Sequence, residues 1–378
     1  MKKCIVMLAV LVLLLTGCTS AAPETVPTTT AVPTTLAAEP TETTGPVIKP
    51  RNETSIFISL PKEEDPHWAE AGQDLKMLLE NLSYLVTLSY AGGEVTEQVA
   101  QLTDAIQNGA DCLIVAAVDS AALTRVGQLA LEKGVVLVAY DRLIMDTEAV
   151  SYYASFDYTA MGIALGQHIV EQKGLDALEA GKSLTIEFFM GPPEDSSALA
   201  LYRGILQVLQ PYLESGALVS KTGRVAFEDT CVADWNPALV TEAMKGYLSE
   251  FYRRGAAPDI ICAVSDGFAN ACIQVLTDKK VKTMPLITGL GGSETGFANI
   301  LAGTQSVTVQ TDVYVLNEKC MELVDAVLTG NVAPVNDTEN CHNNALVVPA
   351  YLCDFTLITA ENVPQPEPET TAATEATK

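Results

Sequence analysis

From about residue 52 to 363 the chain alternates short, apolar, β-rich runs with longer stretches of helical period, and this alternation restricts its possible folds more than any other feature. A run that is apolar throughout has no polar face to turn to water. It therefore belongs in a parallel sheet covered by helices on both sides, an α/β architecture. Strands are expected at 55–60, 85–90, 112–117, 135–140 and 151–156, and a second series at 184–189, 218–225, 260–264, 286–289 and 306–310. Helices are expected between them. The stretch 68–81 aligns Leu75, Leu78, Leu79 and Leu82, and 95–106 aligns Val99, Leu102 and Ile106. Further helices are expected at 198–213, 238–253 and 268–277, with Asn236-Pro237 and Asp266-Gly267 as start signals. Right-handed crossovers then bring the C-terminal ends of each lobe's strands to one edge, where open α/β sheets bind ligands. Asp141-Arg142, Asp266 and the run 289–292 all fall at such ends.

The first residues bear on the compartment. Lys2 and Lys3 precede an apolar run over 5–15 that is too short to span a bilayer, the pattern of a signal peptide over 1–17. Leu15-Thr16-Gly17-Cys18 closes it and resembles the lipobox of bacterial lipoproteins, which implies a lipid on the Cys18 thiol and a place on the outer face of the cell membrane. From 18 to 51 the chain is mainly Thr, Pro, Ala and Glu, too poor in large apolar side chains to fold, and reads as a tether with an end-to-end distance on the order of 30 Å. The stretch 364–378 has the same composition and reads as a loose tail.

The formal charge of −25 repels nucleic acid and anionic lipid, so neither is expected as a partner beyond the lipid on Cys18. Nine cysteines occur. Beyond Cys4 and Cys18, Cys112, Cys262 and Cys272 lie in apolar runs as small core residues, and Cys231, Cys320, Cys341 and Cys353 are left as candidates for pairing outside the cytoplasm. His67, His168 and His342 stand far apart in no ligand spacing, so no metal is expected. The run 289–292 lacks the dinucleotide fingerprint, and neither a phosphate-cradling loop, a G-x-S-x-G elbow nor H-E-x-x-H occurs. No cofactor and no enzymatic activity are expected.

The stretch Val138-Ala139-Tyr140-Asp141-Arg142-Leu143-Ile144, with Val150-Ser151-Tyr152-Tyr153-Ala154-Ser155-Phe156-Asp157 after it, resembles the xylose-binding and multiple-monosaccharide-binding branch of the type 1 periplasmic binding proteins. The resemblance continues through 208–216, 302–305, 335–338 and 347–352, across nearly the whole body. It implies two Rossmann-like lobes joined by a three-segment hinge, closing over a sugar that is passed to an ABC transporter permease. A role as ligand-sensing co-receptor for a sensor kinase or chemoreceptor is the alternative. The crossings are expected near 156–158, 289–293 and 310–312. Lobe I would then take 52–156 plus 293–310, and lobe II 157–292 plus 311–363, in a chain acting as a monomer.

A sugar offers C–H faces that stack on aromatic rings and hydroxyls that need partners once water leaves. By the same resemblance Trp68 and Trp235 are the stacking rings, Asp141 and Arg142 the charged pair, and Asp195 and Asp266 further polar contacts, although either of the last two could instead cap a helix. The pattern departs from the family's at His67, where Arg is usual, at Ser196-Ser197 for Asn-Asn, at Leu290-Gly291 for Gln-Asp, and at Thr311 for Lys. His67, Ser197 and Gly291 are thus counted with the site as altered positions, and the exchanges imply a changed ligand preference.

Overall fold

The computed structural model describes residues 48–253 and 255–365. The expected signal peptide, Cys18, nearly all of the tether and most of the tail lie outside that range. The body opens with β1 (Ser55–Leu60), α1 (Pro66–Asn81), β2 (Leu85–Tyr90), α2 (Val95–Gln107), β3 (Cys112–Val115), α3 (Thr124–Lys133), β4 (Val136–Tyr140) and β5 (Val150–Phe156). These strands pair in parallel in the order β5-β4-β3-β1-β2. Period-two alternation explains the two-sided burial. On β3, Cys112 and Ile114 enter the core that contains Leu75 and Leu79 of α1, while Leu113 and Val115 enter the one built from Leu102, Ile106 and Val126 of α2 and α3. Each fully buried aliphatic side chain of this kind contributes about 1.5–3 kcal/mol.

The chain then crosses into the second lobe with α4 (Tyr158–Lys173), β6 (Leu184–Phe189), α5 (Ser196–Glu214), β7 (Leu218–Val219), the single turn α6 (Phe227–Thr230), α7 (Pro237–Glu250), β8 (Ile260–Ala263), α8 (Asp266–Asp278) and β9 (Leu286–Ile287). Its sheet is also parallel, in the order β7-β6-β8-β9. The expected strand 218–225 stops at Val219. The buried Glu187 carboxylate accepts hydrogen bonds from the backbone of Lys221 and Thr222 and from the hydroxyls of Ser220, Thr222 and Tyr252, bending the segment into a turn that Gly223 completes at φ 72°. Helices α4 and α5 meet backbone to backbone. A Cβ on Gly162 would collide with the Leu201 carbonyl, and one on Gly204 with that of Thr159. This contact sets the middle of α5 against the first turns of α4.

Five elements complete the chain: α9 (Glu294–Leu301), β10 (Val307–Gln310), α10 (Val313–Leu328), β11 (Ala350–Cys353) and β12 (Thr356–Thr359). Their placement corrects the expected division. Val309 bridges Leu290, α9 packs on α8, and β10 pairs antiparallel with β12, so 294–310 continues the second lobe. In contrast, α10 packs on α1 and β11 extends the first sheet beside β5, so 313–353 belongs to the first. The stretch 289–293 is a βα turn within the second lobe and not a crossing. The crossings follow β5, β10 and β11. All seven cysteines among the described residues are free thiols, including the four considered for pairing. Burial pushes the Cys112 and Cys272 thiols well above the ordinary range.

Candidate ligand-binding cleft

Asp141 directly follows β4, and its backbone is left-handed at φ 60°. Aspartate tolerates that region better than most residues, and β5 holds it there. The Asp141 N–H donates to the Ala154 carbonyl at 2.8 Å, while its own carbonyl accepts from the hydroxyls of Tyr153 and Ser155, each at 2.8 Å. The buried carboxylate faces the gap between the lobes. Its Oδ1 accepts from the Tyr158 hydroxyl at 2.6 Å, and its Oδ2 lies 3.0 Å from His67 Nε2.

Arg142 comes next and is fixed on three sides. Its Nη1 donates to the Ala117 carbonyl at 3.0 Å, its Nη2 reaches Asp195 Oδ2 of the second lobe at 2.9 Å, and its guanidinium carbon stands 5.1 Å from the centre of the Trp68 ring. Trp68 is delivered by the first turn of α1. Asp65 caps that helix by accepting from the His67 N–H, Pro66 occupies its first position, and the His67 ring stands edge-on against Trp68 at 4.5 Å.

From the second lobe, Asp195 caps α5. Capping and reaching across the gap are not alternatives here, because the two oxygens divide the tasks. Oδ1 accepts from the Ser197 N–H at 2.9 Å and from its hydroxyl, while Oδ2 accepts from Trp235 Nε1 at 3.1 Å and forms the ion pair with Arg142. Trp235 follows Asp234, and both backbones are left-handed, at φ 51° and 55°. Such a pair costs on the order of 1–3 kcal/mol per residue and persists only where the surroundings fix it. Here the indole stacks on Phe268 at 5.7 Å and occupies the space that Gly191 leaves without a side chain.

These residues enclose one cavity of about 250 Å³. Trp68, Asp141 and Arg142 line it from the first lobe, and Asp195, Ser197 and Trp235 from the second, with His67 at its rim side chain 37% exposed. The lobes also touch beside it: the Ser120 N–H donates to the Glu194 carbonyl at 3.0 Å, and the Ser196 N–H to the Ser120 hydroxyl at 3.2 Å. Ser196 lines a neighbouring hollow of about 480 Å³, and its hydroxyl oxygen is buried with no partner among the described residues.

Two expected site residues are elsewhere. Asp266 does not line the cavity, and it does not cap α8, a task that falls to Ser265. Its Oδ2 accepts from the Ser293 N–H and hydroxyl, each at 2.9 Å, and its Oδ1 from Gln305 Nε2 at 2.7 Å, so it fastens the turn after β9. Gly291 sits in that turn at φ 131°, a backbone region that only glycine enters freely, and also lies off the cavity. Tyr158, Asp65 and Ser265 also line it and were not among the expected site residues. Tyr158 carried one signal: it is the first residue of α4, at a crossing.

The electrostatics follow from these contacts. For His67, burial lowers the pKa, but the hydrogen bond and charge of Asp141, with Asp65, outweigh that and the repulsion of Arg142, and the imidazole is raised above its ordinary value near 6.5. For Asp141, burial favours the neutral acid, but His67, Tyr158 and Arg142 together hold the carboxyl below its ordinary 3.8. The result is a His67–Asp141 ion pair over the acidic range.

Residues 56–331 match the model of a periplasmic binding protein domain. The chain is 34% identical, over 82% of its length and 87% of the other's, to the multiple sugar-binding periplasmic protein SbpA of Azospirillum brasilense. It is 31% identical to the multiple sugar-binding periplasmic receptor ChvE of Rhizobium radiobacter, over 79% and 84% of the two chains. Among solved structures, an ABC transporter solute-binding protein from Clostridium phytofermentans with bound β-D-glucose superposes with a TM-score of 0.77 at 33% identity, covering 82% of this chain and 95% of that one.

Proposed function

The chain belongs to the periplasmic binding protein family, and on that premise we propose that it captures a monosaccharide or related small polyol between its lobes and delivers it to an ABC transporter permease. The observation that carries this reading is the meeting of Trp68 and Trp235 with Asp141 and Arg142 around one interlobe cavity. Indole faces suit the C–H face of a sugar ring, and a carboxylate beside a guanidinium suits vicinal hydroxyls, which both donate and accept. Ligand contacts from both lobes add to the Arg142–Asp195 pair, so binding and closure form one linked equilibrium. His67, Asp195 and Ser197 belong to the same site, whereas Asp266 and Gly291 support it from outside.

The protein works outside the cytoplasm as a monomer, with no cofactor and no catalytic step. Cys18 carries its lipid anchor, a reading supported by Leu15-Thr16-Gly17-Cys18 alone. Differential scanning fluorimetry across monosaccharides, sugar acids and inositols tests the ligand class. At least one sugar raises the melting temperature saturably, and a flat response to every one of them refutes the sugar reading.

A further inference from the structure

The two walls of the cavity differ in the hydrogen bonds they have left to offer. On the first lobe, Asp141 keeps lone pairs beyond those used by His67 and Tyr158, and Arg142 keeps its Nε–H and a second proton on each terminal nitrogen. His67 Nδ1 has no partner among the described residues. On the second lobe the polar groups are turned on one another. Both oxygens of Asp195 are engaged, and the Ser197 hydroxyl and Trp235 Nε1 are the donors that engage them. The Ser265 oxygen accepts from the Phe268 N–H at 3.1 Å, which leaves its O–H the one side-chain donor of this wall without a partner among the described residues.

Most of what remains of the second wall is hydrocarbon. Ala198 and Leu201 come from one face of α5, Val264 from the end of β8, and Leu290 from just beyond the end of β9. All four pack in one apolar cluster with Trp235, and all but Leu290 are essentially buried. Asp266, whose backbone N–H donates to the Leu290 carbonyl, has its carboxylate engaged by Ser293 and Gln305. The glycine after Leu290 adds no side chain.

We infer that the ligand is a deoxy sugar, bound with its hydroxyl-rich edge toward Asp141, Arg142 and His67 and its hydroxyl-free edge against Leu201, Val264 and Leu290. A hydroxyl forced against Leu201, Val264 or Leu290 loses water without gaining a partner, whereas a methyl or methylene group fills that space at no such cost. Apolar pockets of this kind separate a ligand from its hydroxylated counterpart by on the order of ten- to a hundred-fold. Leu290 is the specificity-determining residue, because a glutamine there has the reach to place an amide on the wall.

The inference rests on the sugar reading above, and the test separates the two. Titration calorimetry compares D-glucose and D-galactose with their 2-, 3-, 4- and 6-deoxy counterparts, for the wild type and for Leu290→Gln. In the wild type at least one deoxy sugar binds about ten-fold or more tightly than its parent. In Leu290→Gln that preference shrinks or reverses, while the unliganded melting temperature shows that the variant is folded. If both parent hexoses bind as tightly as every deoxy counterpart in the wild type, the inference is overturned and the sugar reading stands. If neither the parents nor the deoxy sugars bind, the inference falls too, and the fluorimetry panel decides whether any sugar reading survives it. The wild-type comparison decides the matter even if the variant fails to fold.

Discussion

Arg142 Nη2 lies 2.9 Å from Asp195 Oδ2, and this ion pair joins the lobes at the wall of the cavity, with side chains only 11% and 3% exposed. Removing one member of such a pair leaves the other charge buried and alone, which costs about 3–5 kcal/mol. Asp195→Ala therefore lowers stability by an amount of that order in urea unfolding and weakens sugar binding. Exchanging both residues for apolar ones of similar size recovers much of the stability but not the binding.

The two indoles allow a separation of binding from folding. Trp235→Ala removes an indole that stacks on Phe268 and fills the space beside Gly191, while alanine keeps the Cβ that makes φ 51° costly, so the lost packing is not offset. The expected outcome is a folded protein with a lowered unliganded melting temperature and no stabilisation by sugar. Asp141→Ala behaves likewise toward sugar, read by the same fluorimetry.

Stability should track the His67–Asp141 pair with pH. The raised histidine contributes stability that is complete below its ordinary value near 6.5 and is lost as pH rises through its higher folded value. The depressed aspartate contributes stability that is present above about 3.8 and is lost as pH falls through its lower folded value. The difference in stability between wild type and His67→Gln is therefore largest between the ordinary aspartate and histidine values, about 3.8 and 6.5, and shrinks as pH rises through the raised value of folded His67. Chemical denaturation at a series of pH values reads it.

Asp266→Ala distinguishes a support from a contact. It leaves the Ser293 N–H and Gln305 Nε2 without their buried acceptor, so unfolding should come about 1–3 kcal/mol sooner. Sugar affinity, measured by calorimetry well below the melting point, stays within a few-fold of wild type.

How far the sequence alone reaches can be seen in single residues. The strand Cys112–Val115 was legible because each of its side chains is apolar and both faces are covered, which leaves a period-two pattern no alternative. Asp141 and Arg142 were legible as the end of a parallel strand, where ligands are met. Asp266 stands at the end of a strand too, yet its carboxylate turns to Ser293, and no sequence pattern distinguishes the two directions. Tyr158 was missed because its contribution is a hydroxyl donated to a residue 17 positions earlier, a relationship made by the crossing and not by local spacing. The crossing assigned to 289–293 went wrong for a related reason. A glycine-rich turn that starts a helix and one that changes lobe have the same composition, and β11, which settles the division, pairs with β5 across nearly two hundred residues.

A sugar held between Trp68 and Trp235 lies against the only tryptophans in the chain. Intrinsic tryptophan fluorescence therefore reports on the cavity alone. Titrating the sugar that stabilises the protein should shift or quench the emission saturably, with the same Kd as calorimetry and with a residual response in both Trp68→Phe and Trp235→Phe. Calorimetric binding with no change in either indole would place the ligand elsewhere and contradict the account.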